Sequence, residues 1–276
     1  MKDEDMRSTR MRKGWLIPYM LKLDEIFFGR WEYWLKIIKG DKIPDGPIPQ
    51  IPLKAAEEYR ERSVHKNIKV CLNRGLKELS YSLGMFIDWI VWGLGMGKEF
   101  PNVSKELDDF WYRTFNLGLF YKEPADHWGM VAMEVMGKSN RNGFFPTPAS
   151  IVKLMTEMTF SGISSNKLKK ASVIDPCCGT GIMLLHASNH SLNLYGNDIS
   201  PLLVKMAKIN AFIYIPWLAY RPDRLTIFDK TADDLQTIEL RAEHSLVNDQ
   251  SGGLSVSEPQ ISKELLNELS NREKIS

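Results

Sequence analysis

The hydrophobic pattern of this chain changes period several times, and in its second half the changes follow a regular order. Ile151, Val152, Met155 and Met158 recur as on one face of a helix. Val173 and Ile174 then form a short β-branched run that ends in Asp175, the mark of a buried strand. Gly179 and Gly181 make a turn, and Ile182 to Leu185 open an apolar helix. Leu192 to Ile199 reads as a second strand that also ends in an acid, Asp198. Leu202, Leu203, Met206, Ile209 and Ala211 space a helix over 201–212, and Arg224 to Asp229 reads as a third strand. Strands alternating with helices predict an α/β fold with a parallel sheet.

The first half lacks this alternation. Residues 1 to about 135 hold seven of the eight tryptophans and several helix-like segments, interrupted by the proline-rich stretch Ile43 to Pro52. They predict a helical N-terminal module. Trp15, Phe27, Phe28, Trp31, Tyr33 and Trp34 interleave with Arg7, Arg10, Arg12, Lys13 and Arg30, a mixture that serves either nucleic-acid stacking or an aromatic core with a solvated basic face. The most apolar window, Leu83 to Met96, is broken by Asp88 and short for a bilayer span, so a buried helix is expected and no membrane association. From Ala232 onward the chain turns polar and acidic, with Ser251-Gly252-Gly253 as a linker and a short helix expected from Ser262 to Arg272. The expected layout is a helical module over 1–135, a partial cofactor-binding core over 136–235 and a polar tail over 236–276.

Composition narrows the class without naming a function. At 276 residues, 43% hydrophobic and 25% charged, the chain is globular rather than disordered. A net charge of +2 is too mild to argue for nucleic acid by itself. Three cysteines, two of them adjacent, make neither a disulfide framework nor a metal set, which suits a reducing, cytoplasmic setting. The five histidines show no metal-ligand spacing, and the i,i+4 pair His186 and His190 falls near the end of a helix, where packing or surface roles are expected.

The chemistry concentrates at the glycine turn. A strand that ends in an acid and runs at once into a turn free of bulky side chains lets a parallel sheet bring its backbone against a small polar ligand. No Gly-Lys-Ser/Thr follows, so the turn is not a P-loop, and the third glycine of a dinucleotide fingerprint is missing. Asp198 follows Gly181 by seventeen residues, where an acid can accept hydrogen bonds from ribose hydroxyls. The pair predicts an adenosine-containing cofactor. The same turn also serves as a plain strand-to-helix junction in other α/β proteins.

The segment Asp175-Pro176-Cys177-Cys178-Gly179-Thr180-Gly181 resembles the S-adenosylmethionine (SAM) binding motif of the N-6 adenine-specific DNA methyltransferases, especially the modification subunits of type I restriction systems. Upstream, Gly143-Phe144-Phe145-Pro146-Thr147-Pro148 is similar to the family's G-x-F-[YF]-T-P element, with Pro146 as an extra residue, and Thr147 reads as a helix N-cap with Pro148 as the first helical residue. Asp126-His127-Trp128-Gly129-Met130 with Glu134 resembles the helix leading into that element, where a packing role is expected.

The resemblance implies a Rossmann-like SAM-dependent methyltransferase core, incomplete here, and DNA as partner. It assigns Phe145, Thr147 and Pro148 to the methionine end of the cofactor. Asp175, Gly179 and Gly181 fall to the methionine and its approach, Asp198 and Ile199 to the ribose side, and Asp229 to the adenine. Asp233 and Asp234 are rivals of Asp229.

One family element is missing. Adenine-N6 methyltransferases carry Asn/Asp/Ser-Pro-Pro-aromatic at the end of a fourth strand. Its polar side chain and a proline carbonyl accept the hydrogens of the target amine, and its aromatic ring stacks on the flipped base. Ile215-Pro216-Trp217 lacks the polar residue, and in Ser245-Leu246-Val247-Asn248 both prolines are replaced, which leaves Asn248 as a degenerate catalytic candidate. The expectation is therefore the cofactor-binding part of a DNA adenine methyltransferase whose remaining strands and catalytic motif lie on a protein partner or have been lost by truncation. The alternative is a catalytically inactive SAM-binding or structural subunit.

Overall fold

The computed structural model describes residues 3–54, 62–73, 79–136 and 144–222, together with Ile227. In chain order its helices are α1 (Asp3–Arg10), α2 (Ile17–Phe27), α3 (Arg30–Gly40), α4 (Ser63–Asn73), α5 (Leu79–Gly93), α6 (Lys105–Thr114), α7 (Gly118–Lys122), α8 (His127–Met136), α9 (Ala149–Phe160) and α10 (Ser165–Leu168). Strand β1 (Ser172–Asp175), α11 (Ile182–Ala187), β2 (Asn193–Gly196), α12 (Pro201–Tyr214) and α13 (Pro216–Ala219) follow. The architecture is rich in helix, with a two-stranded parallel sheet compatible with an incomplete α/β fold. The expected third strand, Asp229, Asp233, Asp234, Asn248 and the terminal helix lie outside the described residues.

Strands β1 and β2 pair from Ser172↔Asn193 to Asp175↔Gly196, so Asp175 and Asp198 emerge at the same end of the sheet. Between them α11 crosses over, packing on both strands and against α9. Gly196 lets that helix approach: a Cβ there would fall 2.5 Å from Leu184 Cδ1 and 3.2 Å from Cys178 Sγ. Ser200 caps α12 and Pro201 occupies its first turn, where its missing amide costs nothing. Residues 209–214 of α12 are all buried, which marks a helix enclosed on most sides rather than lying on a surface.

The helical first half forms one hydrophobic cluster with the sheet region. Trp31, Trp34, Trp89, Trp111, Trp128 and Trp217 are fully buried, and polar tips find backbone partners where they can, as Trp111 Nε1 does in donating to the Cys71 carbonyl at 2.9 Å. Two of the five basic residues interleaved with the N-terminal aromatics are buried too. Arg10 pairs with Asp108, Nε to Oδ2 at 3.0 Å, and with Asp109. Arg30 donates to the Ser188 hydroxyl and carbonyl. The aromatic core is present, but Arg10 and Arg30 are buried within it instead of forming a solvated basic face. The apolar window around Leu83 is the buried helix α5, and no described helix is long and apolar enough to cross a membrane.

Candidate functional site

Both glycines of the turn take left-handed backbone angles, Gly179 at φ 54° and Gly181 at φ 91°, conformations that L side chains rarely adopt. Gly181 is the N-cap of α11, so the turn delivers the chain directly into that helix. Asp198 reaches across from the end of β2: its Oδ2 accepts the Gly179 amide at 2.8 Å and its Oδ1 accepts the Ser200 amide at 2.9 Å. Asp175 accepts the Cys177 amide at 3.2 Å. Burial pushes the Asp175 carboxyl above its ordinary range against that hydrogen bond, and the nearby charge of Asp198 adds to the rise.

The structure thus brings Asp175, Gly179, Gly181 and Asp198 together at one sheet end, with Ile199 beside them and 95% exposed. Such a donor set suits the cofactor implied by the resemblance. Carboxylates at adjacent strand ends can take ribose hydroxyls and an ammonium group, the turn has no side chain at its two glycines, and an exposed apolar residue is available to a ring.

Two details of the upstream element differ from expectation. Helix α9 begins at Ala149 with Pro148 as its N-cap, and Thr147 makes no capping bond. Pro148 holds extended angles while its carbonyl accepts the Ile151 and Val152 amides, so the helix starts one residue later than the N-cap reading of Thr147 requires. Phe145 is 77% exposed, whereas Phe144, not among the expected contacts, lies against the turn: a Cβ on Gly179 would meet Phe144 Cε2 at 2.7 Å. The inserted Pro146 left the register of the two phenylalanines open in the sequence.

Thr147 and Pro148 line a cavity of about 270 Å³ between α8, α11 and the start of α9. Met130, Met133, Ile182 and Leu185 give it an apolar wall, and His186 lines it too. Asp175, Gly179, Gly181 and Asp198 are not among its lining residues, so the cavity adjoins the turn without being formed by it. His127 stands on its wall with its Nε2 2.6 Å from the Glu123 carbonyl. Burial holds the His127 imidazole down at about 4, and burial followed by the charge of Lys153 does the same for His186.

The resemblance implies a packing role for Asp126, and the structure gives it more to do. It is buried, and its carboxylate takes three donors: the Gly129 amide at 3.0 Å, Asn210 Nδ2 at 2.8 Å and Thr180 Oγ1 at 2.5 Å. The Asp-x-x-Gly spacing ahead of α8 is the one local signal of this cluster; its partners on the turn and on α12 could not be read locally. Among the described residues no cluster could hold a metal ion.

Residues 130–215, about a third of the chain, match the family model described as N-6 DNA Methylase. Over that segment the chain is similar to the N-6 DNA methylase family, and the matched span runs from α8 through the glycine turn and both strands to the end of α12. Neither the curated proteins nor the solved structures gave a match.

Proposed function

We propose that the chain is the cofactor-binding part of a SAM-dependent DNA adenine-N6 methyltransferase of restriction-modification type, working in the cytoplasm. The observation that carries this reading is the glycine turn, which lies within the segment that matches the methylase family and is held between the carboxylates of Asp198 and Asp126. When bound, SAM supplies an electrophilic methyl group on sulfur. The residues of this chain orient it: Asp198 and Ile199 at the ribose, Asp175 and the Gly179–Gly181 backbone along the methionine, the Phe145–Pro148 segment beyond it, and Asp229 at the adenine.

Methyl transfer needs a group that accepts the hydrogens of the target amine, and the sequence lacks an Asn-Pro-Pro-aromatic element. In this reading a protein partner supplies that element. Among the described residues β1 pairs with β2 alone, and in this reading a further strand continues the sheet beside β1. Next to α11, helix α9 exposes Ile151, Leu154, Met155 and Met158, an apolar stripe of the kind that a continued sheet would cover. The alternative, a SAM-binding or structural subunit without activity, is favoured by the same missing element.

Calorimetry with SAM tests the cofactor site, and counting of labelled methyl transferred to unmethylated DNA tests whether the chain acts alone. Asp198→Ala should weaken SAM binding by about 1.5 to 3 kcal/mol, the range for losing charge-assisted hydrogen bonds. Binding without transfer is expected of the chain alone. Absence of SAM binding by the folded chain sinks the proposal.

A further inference from the structure

Thr180 lies between the two left-handed glycines and is gripped twice. Its hydroxyl donates to Asp126 Oδ2 at 2.5 Å, a residue 54 positions away, and its carbonyl accepts Asn210 Nδ2 at 2.9 Å. The same Asn210 nitrogen donates to Asp126 Oδ1 at 2.8 Å, so α8, the turn and α12 meet at one buried carboxylate. Capping of α8 explains only the Gly129 amide; it does not call for partners from two distant elements. Gly129 is part of the construction, since a Cβ there would fall 2.3 Å from Asp126 Oδ2 and 2.8 Å from Thr180 Oγ1. Asn210 Oδ1 is left without a partner, while both Asp126 oxygens, the Thr180 hydroxyl and Asn210 Nδ2 are bonded, and shared bonds of this kind favour one backbone arrangement over its neighbours.

We propose that Asp126 is a positioning residue of the glycine turn, acting through Thr180 to hold the Gly179–Gly181 backbone in the shape that admits SAM. Asp198 holds the turn from the sheet end through the Gly179 amide, and Asp126 holds it from the helical side. The inference rests on the reading of the turn as a cofactor site.

The test is amide hydrogen exchange on the full chain, paired with calorimetry. The Gly179 and Gly181 amides are both bonded, to Asp198 Oδ2 and to the Cys178 carbonyl, so they report on the turn with no ligand present. In Asp126→Ala both amides should exchange faster while those of α5 keep their protection, and SAM affinity should fall about tenfold or more. Asp126→Asn should restore both readouts. Its oxygen can keep Gly129 and Asn210 while its amide donates to a rotated Thr180 hydroxyl. Unchanged exchange at the turn in a folded Asp126→Ala chain overturns the assignment, as does failure of a folded Asp126→Asn chain to restore it. If Asp126→Ala does not fold, Thr180→Val removes the same contact and is judged by the same exchange. A wild-type chain that binds no SAM ends the cofactor reading, and the exchange comparison still decides whether Asp126 positions the turn.

Discussion

The indole of Trp31 in α3 donates a 2.9 Å hydrogen bond to the backbone carbonyl of Phe212 in α12, 181 residues away. Beside it the Arg30 guanidinium lies 4.2 Å over the Trp217 ring and bonds Ser188, while Trp34 donates to the Tyr220 carbonyl at 2.7 Å. Much of the covering of the methylase segment is thus supplied by the first helices. A fragment starting at residue 123 should show no cooperative thermal transition by circular dichroism, whereas the full chain should melt as one unit. A cooperative transition in the fragment would show that the segment has a sufficient core of its own.

Glycine substitutions separate close approach from open space. Gly129→Ala should cost about 1 to 3 kcal/mol, because its Cβ has to displace Asp126 or Thr180 from a buried cluster. Gly84→Ala, in α5 with no atom within 4 Å of the added methyl, should be neutral or stabilise by up to about 1 kcal/mol. Urea unfolding of the two variants gives the comparison.

Acid sensitivity follows from groups of opposite sign. His127 and His186 sit near 4 in the folded chain against 6.5 when free, so their contribution to stability is present above about 6.5 and is lost as pH falls toward 4. Asp24 is raised by burial from 3.8 to about 6, and its contribution runs the other way, present below 3.8 and lost as pH rises through 6. The melting temperature should therefore fall more steeply with acid in Asp24→Asn and less steeply in His186→Gln. Parallel profiles for all three chains would contradict this.

The exposed stripe on α9 allows a test without a partner in hand. Replacing Met155 and Met158 with glutamate should leave the melting temperature nearly unchanged, since both side chains are exposed. It should also reduce self-association on concentration and block complementation by any chain that supplies further strands. Light scattering reads the first effect.

Thiol chemistry reports on the turn. Cys177 is exposed beside Asp175, whereas burial pushes the buried Cys71 and Cys178 thiols up to about 12. Iodoacetamide should modify Cys177 first, and saturating SAM should slow that modification if the cofactor lies along the turn. Mass spectrometry of timed samples reads both rates.

Where period and glycine placement act locally, the sequence was informative: β1, the turn, α11, β2 and α12 all lie where the alternation places them. Thr147 was misplaced by one residue because proline fits either the cap or the first turn, and local propensity does not choose between them. Asp126 was undervalued because two of its three partners are brought to it only by tertiary folding. Arg10 and Arg30 read as a solvated basic face by composition, yet each is buried against partners far along the chain. Charge alone carries no record of such pairing.

Asp198 spends one carboxylate oxygen on the Gly179 amide and the other on the Ser200 amide, with roughly two acceptor lone pairs left over. Its direction is fixed during folding, so under the proposed cofactor reading a ribose would meet an acceptor whose rotamer freedom is already gone. An acid held in this way cannot swing to follow a misplaced hydroxyl, and discrimination for neighbouring hydroxyls over a single one becomes a matter of fixed geometry rather than accommodation.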